Sequence, residues 1–221
     1  MSTEPAIPAR GTPVPRGRHA PPLEVRVSLQ RRRLLRAAAT VFARAGYADA
    51  SAEGISREAG MSKATFYEHF ANKEEAILSL FDEAVTEVML AMAAAEPARE
   101  ELTSYEEWMA AALRAFLDKL TAEPEATQTL LVEIIGAGPR AMERRDAVLD
   151  AFAQALFRDN ARVAPRFGAP TFATQDDAFA VIGAIVEVVS RQLRTGHPAD
   201  IRDAEPVLMR VLLGVLAQSG R

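Results

Sequence analysis

Apolar residues recur at three- and four-residue spacing from Ser28 almost to the C terminus, and this periodicity constrains the fold more than any other feature of the sequence. Such spacing places apolar side chains on one face of a helix, where they can pack against other helices. No segment of β-branched residues alternates with polar residues between turn signals, as a half-buried strand would. We therefore predict an all-α protein of roughly nine helices. With 221 residues, 49% of them hydrophobic, the chain is large enough to bury a core.

The first long helix is followed by two very short helices that are separated by a glycine. We predict the first helix over residues 28–45, with Gly46 as its C-terminal stop. Ser51 and Ser62 can each cap a short helix, and Gly60 between them can adopt the left-handed conformation that ends the first of the two. This order of helix, tight glycine turn and helix indicates a small three-helix domain.

Residues 1–27 contain six of the chain's 13 prolines and few large apolar residues. Because such a segment cannot bury enough apolar surface to order itself, we predict a disordered arm rich in proline and arginine. Its arginines could contact phosphates or the minor groove of DNA, as extended basic arms do, or the arm could be a soluble tail only.

Charge is distributed unevenly along the chain, although the net charge is only −4. Residues 1–73 hold 12 Lys and Arg against 6 Asp and Glu, whereas residues 74–221 hold 14 against 24. A basic N-terminal part suits a nucleic-acid partner, although charge alone fits a role in solubility equally well.

Several function classes are disfavoured by what the sequence lacks. There is no cysteine and the three histidines are scattered, so we expect no metal site and no thiol chemistry. Neither a Gly-rich phosphate loop nor a Ser-His-Asp pattern is evident, so we predict no catalytic residue, no cofactor and no enzyme. No apolar run is long enough to cross a bilayer and no secretory block opens the chain, so we expect a cytoplasmic protein without a membrane partner.

The segment from Leu34 to Ala76, LLRAAATVFARAGYADASAEGISREAGMSKATFYEHFANKEEA, resembles the DNA-binding domain of the TetR (tetracycline repressor-like) family. The elements that carry the resemblance stand in order at the spacing of that family: Ala38, Phe42, Gly46-Tyr47, Ile55, Ala59-Gly60, the run Thr65 to Phe70, and Lys73-Glu74. The resemblance implies a bacterial repressor that binds a palindromic operator as a homodimer. It further implies a helix-turn-helix domain over residues 28–73 and a helical domain over residues 74–221 that dimerises and binds a small inducer. An activator of the same fold, or a ligand-independent or nonspecific DNA-binding helical protein, is the alternative.

The N-terminal end of the third helix is the predicted reading edge, because a major groove about 12 Å wide admits one helix and its first residues then face the bases. We assign base reading to Lys63, Ala64 and Thr65, although they could be ordinary exposed surface. The predicted DNA-backbone contacts are Ser51, Tyr67, His69 and Lys73. The three arginines Arg31, Arg32 and Arg33 could add phosphate contacts or form a solvated face. Ala52 and Glu53 depart from the family pattern, so we expect little base reading from the second helix.

Two apolar stripes near the C terminus suggest a four-helix interface between subunits, although both could pack within one subunit. The predicted dimer residues are Phe179, Ile182, Val186, Val189 and Leu193 on one helix and Leu208, Val211, Leu212 and Val215 on the next.

Large and adaptable apolar residues on the central helices suggest a pocket for a lipophilic or aromatic inducer, although each could equally be plain core. The predicted lining is Trp108, Met109, Phe116, Leu131, Ile134, Ile135, Met142 and Phe152, with Glu133 or Arg140 as polar anchors.

Overall fold

Nine α-helices and no strand make up the part of the chain that this computed structural model describes, residues 22–99 and 102–219. The prediction of an all-α fold is therefore confirmed. Three short 3-10 turns stand between helices, over Glu133–Ala137, Ala164–Phe167 and Ile201–Ala204. The helices are α1 (Leu23–Asp49), α2 (Ala52–Ala59), α3 (Lys63–His69), α4 (Lys73–Arg99), α5 (Tyr105–Ala122), α6 (Pro124–Leu131), α7 (Pro139–Val163), α8 (Gln175–Thr195) and α9 (Glu205–Ser219).

The helix α1 starts earlier and ends later than the sequence predicts. It begins directly after Pro22, so residues 23–27 are helical and not part of a disordered arm, which corrects that prediction. Pro22 is the last proline of this segment, and Glu24 in the first turn is favoured by the positive end of the helix dipole. Residues 1–21 of the predicted arm lie outside the described residues. At the other end, Gly46 breaks the helical path as expected, with a φ of 77° and a ψ of 160°, before one further turn.

The two short helices α2 and α3 form as predicted, because each has its own local cap. The Ser51 hydroxyl accepts a hydrogen bond from the Gly54 N–H at 3.1 Å, and the Ser62 hydroxyl accepts one from the Thr65 N–H at 3.0 Å. Gly60 between them has a φ of 63°, in the left-handed region that favours glycine. Behind α2 and α3 lies a core whose side chains are fully buried, or nearly so: Leu34, Phe42, Ile55, Phe66 and Phe70.

The remaining helices pack around α4, which also contacts α1 and so joins the two predicted domains. It continues past Pro97 to Arg99. The principal packings are α4 on α5 and α6, and α7 on α8, with α9 against α5 and α8. Among the described residues, no helix is both long enough and apolar enough to cross a membrane.

A buried asparagine ties α7 to α5 and to the chain that leads into α8. The Asn160 side-chain amide donates to the Tyr105 hydroxyl at 2.6 Å and to the Pro170 carbonyl at 3.2 Å. Its carbonyl oxygen accepts from the Phe172 N–H at 2.8 Å. Asn160 is 0% exposed, so these bonds satisfy polar groups that water does not reach.

Candidate DNA-binding surface and ligand cavity

The N-terminal turn of α3 projects from the three-helix unit, and Lys63 and Ala64 are exposed there. Thr65 is half-buried, and its hydroxyl shares a 2.9 Å hydrogen bond with the Ser62 hydroxyl. The cap thus fixes the start of α3 and the position of Thr65, while Lys63 and Ala64 remain accessible to a groove. The structure brings the three predicted base-reading residues together on one turn.

Two of the predicted backbone-contacting residues are accessible to solvent. Tyr67, at 51% exposure, lies one turn after Lys63. Ser51 is exposed at the start of α2, where the helix N-terminus also presents free N–H groups. A hydroxyl at each of these positions can hold a phosphate without reading sequence.

His69 offers less to a phosphate than the sequence predicts. Its side chain is half-buried, and its Nε2 atom is buried without a hydrogen-bond partner among the described residues. Burial, followed by the positive charge of Arg31, lowers the pKa of His69, and the Glu68 carboxylate opposes this shift. Burial of Nε2 therefore disfavours a phosphate contact of His69 through this atom.

Lys73 has a different role from the predicted one. Its ammonium group donates hydrogen bonds of 2.8, 2.9 and 3.1 Å to the carbonyl oxygens of Tyr47, Ala48 and Ala50. It also lies 4.5 Å from the centre of the Tyr47 ring. An ammonium has three N–H donors, so all of them serve the end of α1. Lys73 therefore caps carbonyls that lack helical partners, at the end of the dipole that favours a cation, and this replaces the predicted phosphate contact.

Arg31 is also a structural residue. Its guanidinium donates to the His69 carbonyl at 3.3 Å and to the Ser79 hydroxyl at 2.9 Å, and it stacks 4.6 Å from the centre of the Phe70 ring. It thereby fastens α1 to the end of α3 and to α4. The sequence leaves open a phosphate contact or a solvated face for Arg31. The observed contacts correspond to neither of these alternatives.

At the junction between the two predicted domains, a carboxylate of the C-terminal domain bonds to the backbone of the N-terminal domain. Glu133 accepts the Tyr47 backbone N–H at Oε2 over 2.8 Å, and at Oε1 it accepts the Gln128 amide over 3.1 Å. The Tyr47 N–H lacks a partner within α1 because Gly46 breaks the helix immediately before it. Glu133 was predicted as a ligand anchor, and the structure instead uses it to hold the end of α1.

An apolar cavity that opens to solvent lies between α4, α5, α6, α7 and α8. Five of the eight predicted lining residues contribute to its wall, namely Trp108, Met109, Phe116, Leu131 and Phe152.

The other three predicted lining residues, Ile134, Ile135 and Met142, do not line the cavity, and the prediction is wrong for them. For Ile134 and Ile135 the reason is that α6 ends at Leu131 and a 3-10 turn follows, which changes the direction of the side chains. Ile134 is fully buried elsewhere and Ile135 is 47% exposed. Arg140, the other predicted anchor, is exposed at the start of α7.

Sequence reasoning missed the two charged residues of the cavity wall, Arg145 and Asp159, both on α7. The signal was available, because they continue the three- and four-residue series of apolar residues on that helix: Val148, Leu149, Phe152, Ala155 and Leu156.

The predicted dimer stripes lie partly inside the protomer. Val186, Val189, Leu208 and Leu212 are each at most 8% exposed, so they are core residues, and their assignment to a subunit interface is corrected. Ile182, together with two of these four, lines the cavity. Leu193, Val211 and Val215 are half-buried, and Phe179 is 41% exposed.

The outward faces of α8 and α9 carry further residues beside the exposed members of the predicted stripes. Val207 is 39% exposed on α9. Two glycines, Gly183 on α8 and Gly214 on α9, stand inside helices where an added Cβ would meet no atom within 4 Å. These positions leave room for close approach of another surface.

Residues 34–80 match the model of a family described as bacterial regulatory proteins, tetR family. No protein of curated function matches the chain. Among solved structures, the fatty acid degradation regulator FadR from Bacillus halodurans superposes with a TM-score of 0.73 at 21% identity, covering 85% of this chain and 96% of that one. FadR from Bacillus subtilis, in complex with stearoyl-CoA, gives 0.69 at 17% identity over 83% and 98%. NalD, the secondary repressor of the MexAB-OprM multidrug efflux pump in Pseudomonas aeruginosa, gives 0.58 at 18% identity over 86% and 98%. At these identities the likeness establishes a shared fold.

Proposed function

We propose that this chain, which belongs to the tetR family of bacterial regulatory proteins, is a homodimeric repressor that leaves a palindromic operator when an elongated apolar ligand fills its cavity. One observation carries the proposal. The domain that carries the reading helix α3 meets the helices that line the cavity at a junction where Glu133 accepts the Tyr47 N–H. A change in the cavity wall can thereby alter the position of the reading helix.

DNA recognition rests on the exposed first turn of α3. The Lys63 ammonium can donate to guanine O6 or N7, and the small Ala64 side chain permits close approach to the bases. Thr65 supplies a methyl group and a hydroxyl beside them. Tyr67 and Ser51 then hold phosphates on either side of the groove.

The ligand class follows from the cavity wall, which is apolar apart from Arg145 and Asp159. Such a wall favours a lipophilic molecule by removing apolar surface from water. One structural relative was solved with stearoyl-CoA, a molecule with a long acyl chain, and this likeness in fold makes acyl chains the first compounds to test.

Dimerisation would use the outward faces of α8 and α9. A glycine inside a helix costs about 1 kcal/mol relative to alanine, so Gly183 and Gly214 are better explained by close approach of a second copy than by helix stability. We expect Gly183→Glu to convert the dimer into monomers in sedimentation experiments, with Ala147→Glu, which adds the same charge at an exposed position of α7, as the matched control. A wild-type chain that sediments only as a monomer at micromolar concentration would contradict the dimer.

The DNA-binding proposal is tested by selecting duplexes from a random library with the purified full-length chain. We expect a palindrome whose half-sites are about one helical turn, or 34 Å, apart. Lys63→Ala should weaken binding to that palindrome by about 5- to 150-fold, the range of one bidentate base contact, and should weaken binding to random duplexes much less. Equal binding of the wild type to both duplexes would support the nonspecific alternative instead.

Ligand response is tested by titrating the selected operator in the presence of acyl compounds. DNA and ligand must weaken each other by the same factor, because the coupling free energy between two sites is reciprocal. A compound that binds tightly and leaves the operator affinity unchanged would contradict release by that compound. A reporter assay with the operator at different promoter positions separates a repressor from an activator.

A further inference from the structure

The charges in the cavity wall lie at the two ends of one stripe on α7. Arg145 opens the stripe and Asp159 closes it, and every lining residue of α7 between them is apolar. The two residues are 14 positions apart on a continuous helix, which corresponds to about 21 Å at 1.5 Å per residue. The cavity therefore has a long apolar wall with opposite charges at its ends.

Neighbouring contacts show which end lies nearer to the DNA-binding domain. Arg144, beside Arg145, pairs with Asp82 near the start of α4 at 2.7 Å. Asn160, beside Asp159, bonds to Tyr105 at the start of α5. Because α4 begins at the junction with α3, the Arg145 end of the stripe is the one close to the DNA-binding domain.

The two charges differ in how well the protein already compensates them. Asp159 pairs with Arg162 one turn later, at 3.0 Å. Arg145 pairs with Asp146 at 3.5 Å, but adjacent residues on a helix do not face each other, and the Asp146 side chain is 66% exposed. The Arg145 side chain is only 22% exposed. A cation enclosed by apolar residues is stabilised by an anion that completes its hydrogen bonds.

We propose that the cavity binds a single-chain amphiphile with an anionic head group, which Arg145 holds at the end nearest to the DNA-binding domain. The inference rests on the proposed function and adds the charge, orientation and length of its ligand. An extended hydrocarbon chain advances about 1.25 Å per carbon, because C–C bonds of about 1.5 Å meet at the tetrahedral angle. The stripe of about 21 Å from Arg145 to Asp159 therefore matches a tail of about 16 carbons. A fatty carboxylate and the phosphates of an acyl thioester of CoA share this anionic chemistry.

The test measures direct binding of three probes with a C16 chain, namely palmitate, palmitoyl-CoA and the uncharged hexadecanol. The proteins are the wild-type chain, Arg145→Gln, Arg145→Lys, and Arg158→Gln as a control on the same helix, since Arg158 is exposed and does not line the cavity. We expect Arg145→Gln to lose about 10- to 100-fold in affinity for at least one anionic probe, the range of hydrogen bonds to a charged group. Hexadecanol binding should stay within threefold, Arg145→Lys should recover part of the loss, and Arg158→Gln should resemble the wild type. The anion that is more sensitive to Arg145→Gln identifies the natural head group.

A chain-length series tests the proposed length of the ligand. Affinity should rise by about fourfold for each methylene up to about 16 carbons and then stop rising, because longer tails extend beyond the apolar stripe. Equal losses for palmitate and hexadecanol in Arg145→Gln would overturn the anchor, since they would indicate a structural role. Tighter binding of hexadecyltrimethylammonium, abolished by Asp159→Asn, would overturn the proposed charge. If the wild type binds no C16 probe at all, the ligand part of the proposed function fails together with the anchor. If only the anchor is wrong, the wild type still binds C16 probes, so the two failures are distinguishable.

Discussion

Substituting Glu133 by alanine should disconnect the cavity from the DNA-binding domain. The change removes the carboxylate that accepts the Tyr47 N–H at 2.8 Å and the Gln128 amide at 3.1 Å. The backbone after Gly46 then loses its attachment to the 3-10 turn that follows α6. Leu131, at the end of α6, lines the cavity only two residues before Glu133, so this attachment is a short route from the ligand to α1.

The size of the effect follows from the kind of bond that is lost. A hydrogen bond to a charged group contributes about 1.5 to 3 kcal/mol, and because Glu133 is half-buried we take the lower end, about 1.5 kcal/mol. Coupling free energies between two sites are about 1 to 3 kcal/mol. The hydrogen bond from the Tyr47 N–H to Glu133 is therefore strong enough to carry most of the coupling. Its removal should reduce the coupling factor by about tenfold.

Operator binding is measured by fluorescence anisotropy with and without saturating palmitoyl-CoA, and the ratio of the two dissociation constants is the coupling factor. We expect this factor to fall toward one in Glu133→Ala, while affinity for the ligand without DNA stays within about twofold. Glu133→Gln should keep most of the coupling, because an amide oxygen still accepts from Tyr47. Glu143→Ala, which removes an exposed carboxylate on α7, is the control. A coupling factor in Glu133→Ala equal to that of the wild type would refute the reasoning.

Three further changes test individual contacts. Lys73→Ala should lower the free energy of unfolding by about 2 kcal/mol in urea titrations, because three bonds to the end of α1 are lost. The salt dependence of its operator binding should not change, and a log–log slope smaller by about one would restore Lys73 as a phosphate contact. His69 has a lowered pKa in the folded state, so the unfolded chain binds more protons below about pH 6.5, and stability should fall as the pH drops from there through the lowered pKa. His69→Gln should remove this part of the pH dependence in thermal unfolding, and an identical profile would show that His69 does not cause it. Asn160→Ala should destabilise the fold by about 2 to 4 kcal/mol, because the buried Phe172 N–H loses its acceptor. Thermal unfolding of Asn160→Ala close to that of the wild type would contradict this.

Features that depend on a few neighbouring residues were predictable from the sequence. The caps at Ser51 and Ser62 and the glycine turn at Gly60 form as predicted, because each bond joins residues within one turn of chain. The start of α1 was misplaced, since a proline-rich segment does not show where its helical continuation begins. Local chemistry therefore predicts where most helices begin and end.

Features that depend on how helices face one another were predicted less well. Periodicity indicates that one face of α8 or α9 is buried, but it does not indicate against what, so Val189 and Leu208 were assigned to a dimer while they lie in the protomer core. Glu133 and Lys73 were assigned to a ligand and to DNA because of their charge. Each instead bonds to backbone atoms near Gly46, which are distant from it in sequence. No local pattern predicts such a partner.

The break in α1 at Gly46 explains why regulation can pass through this point. An uninterrupted helix would satisfy the Tyr47 N–H internally and would offer nothing for the second domain to hold. With the break, Glu133 takes the N–H and Lys73 takes the carbonyl of the same residue, so both ends of Tyr47 are fixed by opposite charges from different elements. The C-terminal end of α6 is also held in place, because the buried Ser190 hydroxyl donates to the Leu131 carbonyl at 3.2 Å. A ligand that displaces the end of α6 can therefore act on the end of α1 through Glu133, and a compound that fills the cavity without contacting Leu131 should lose this part of its effect on DNA binding.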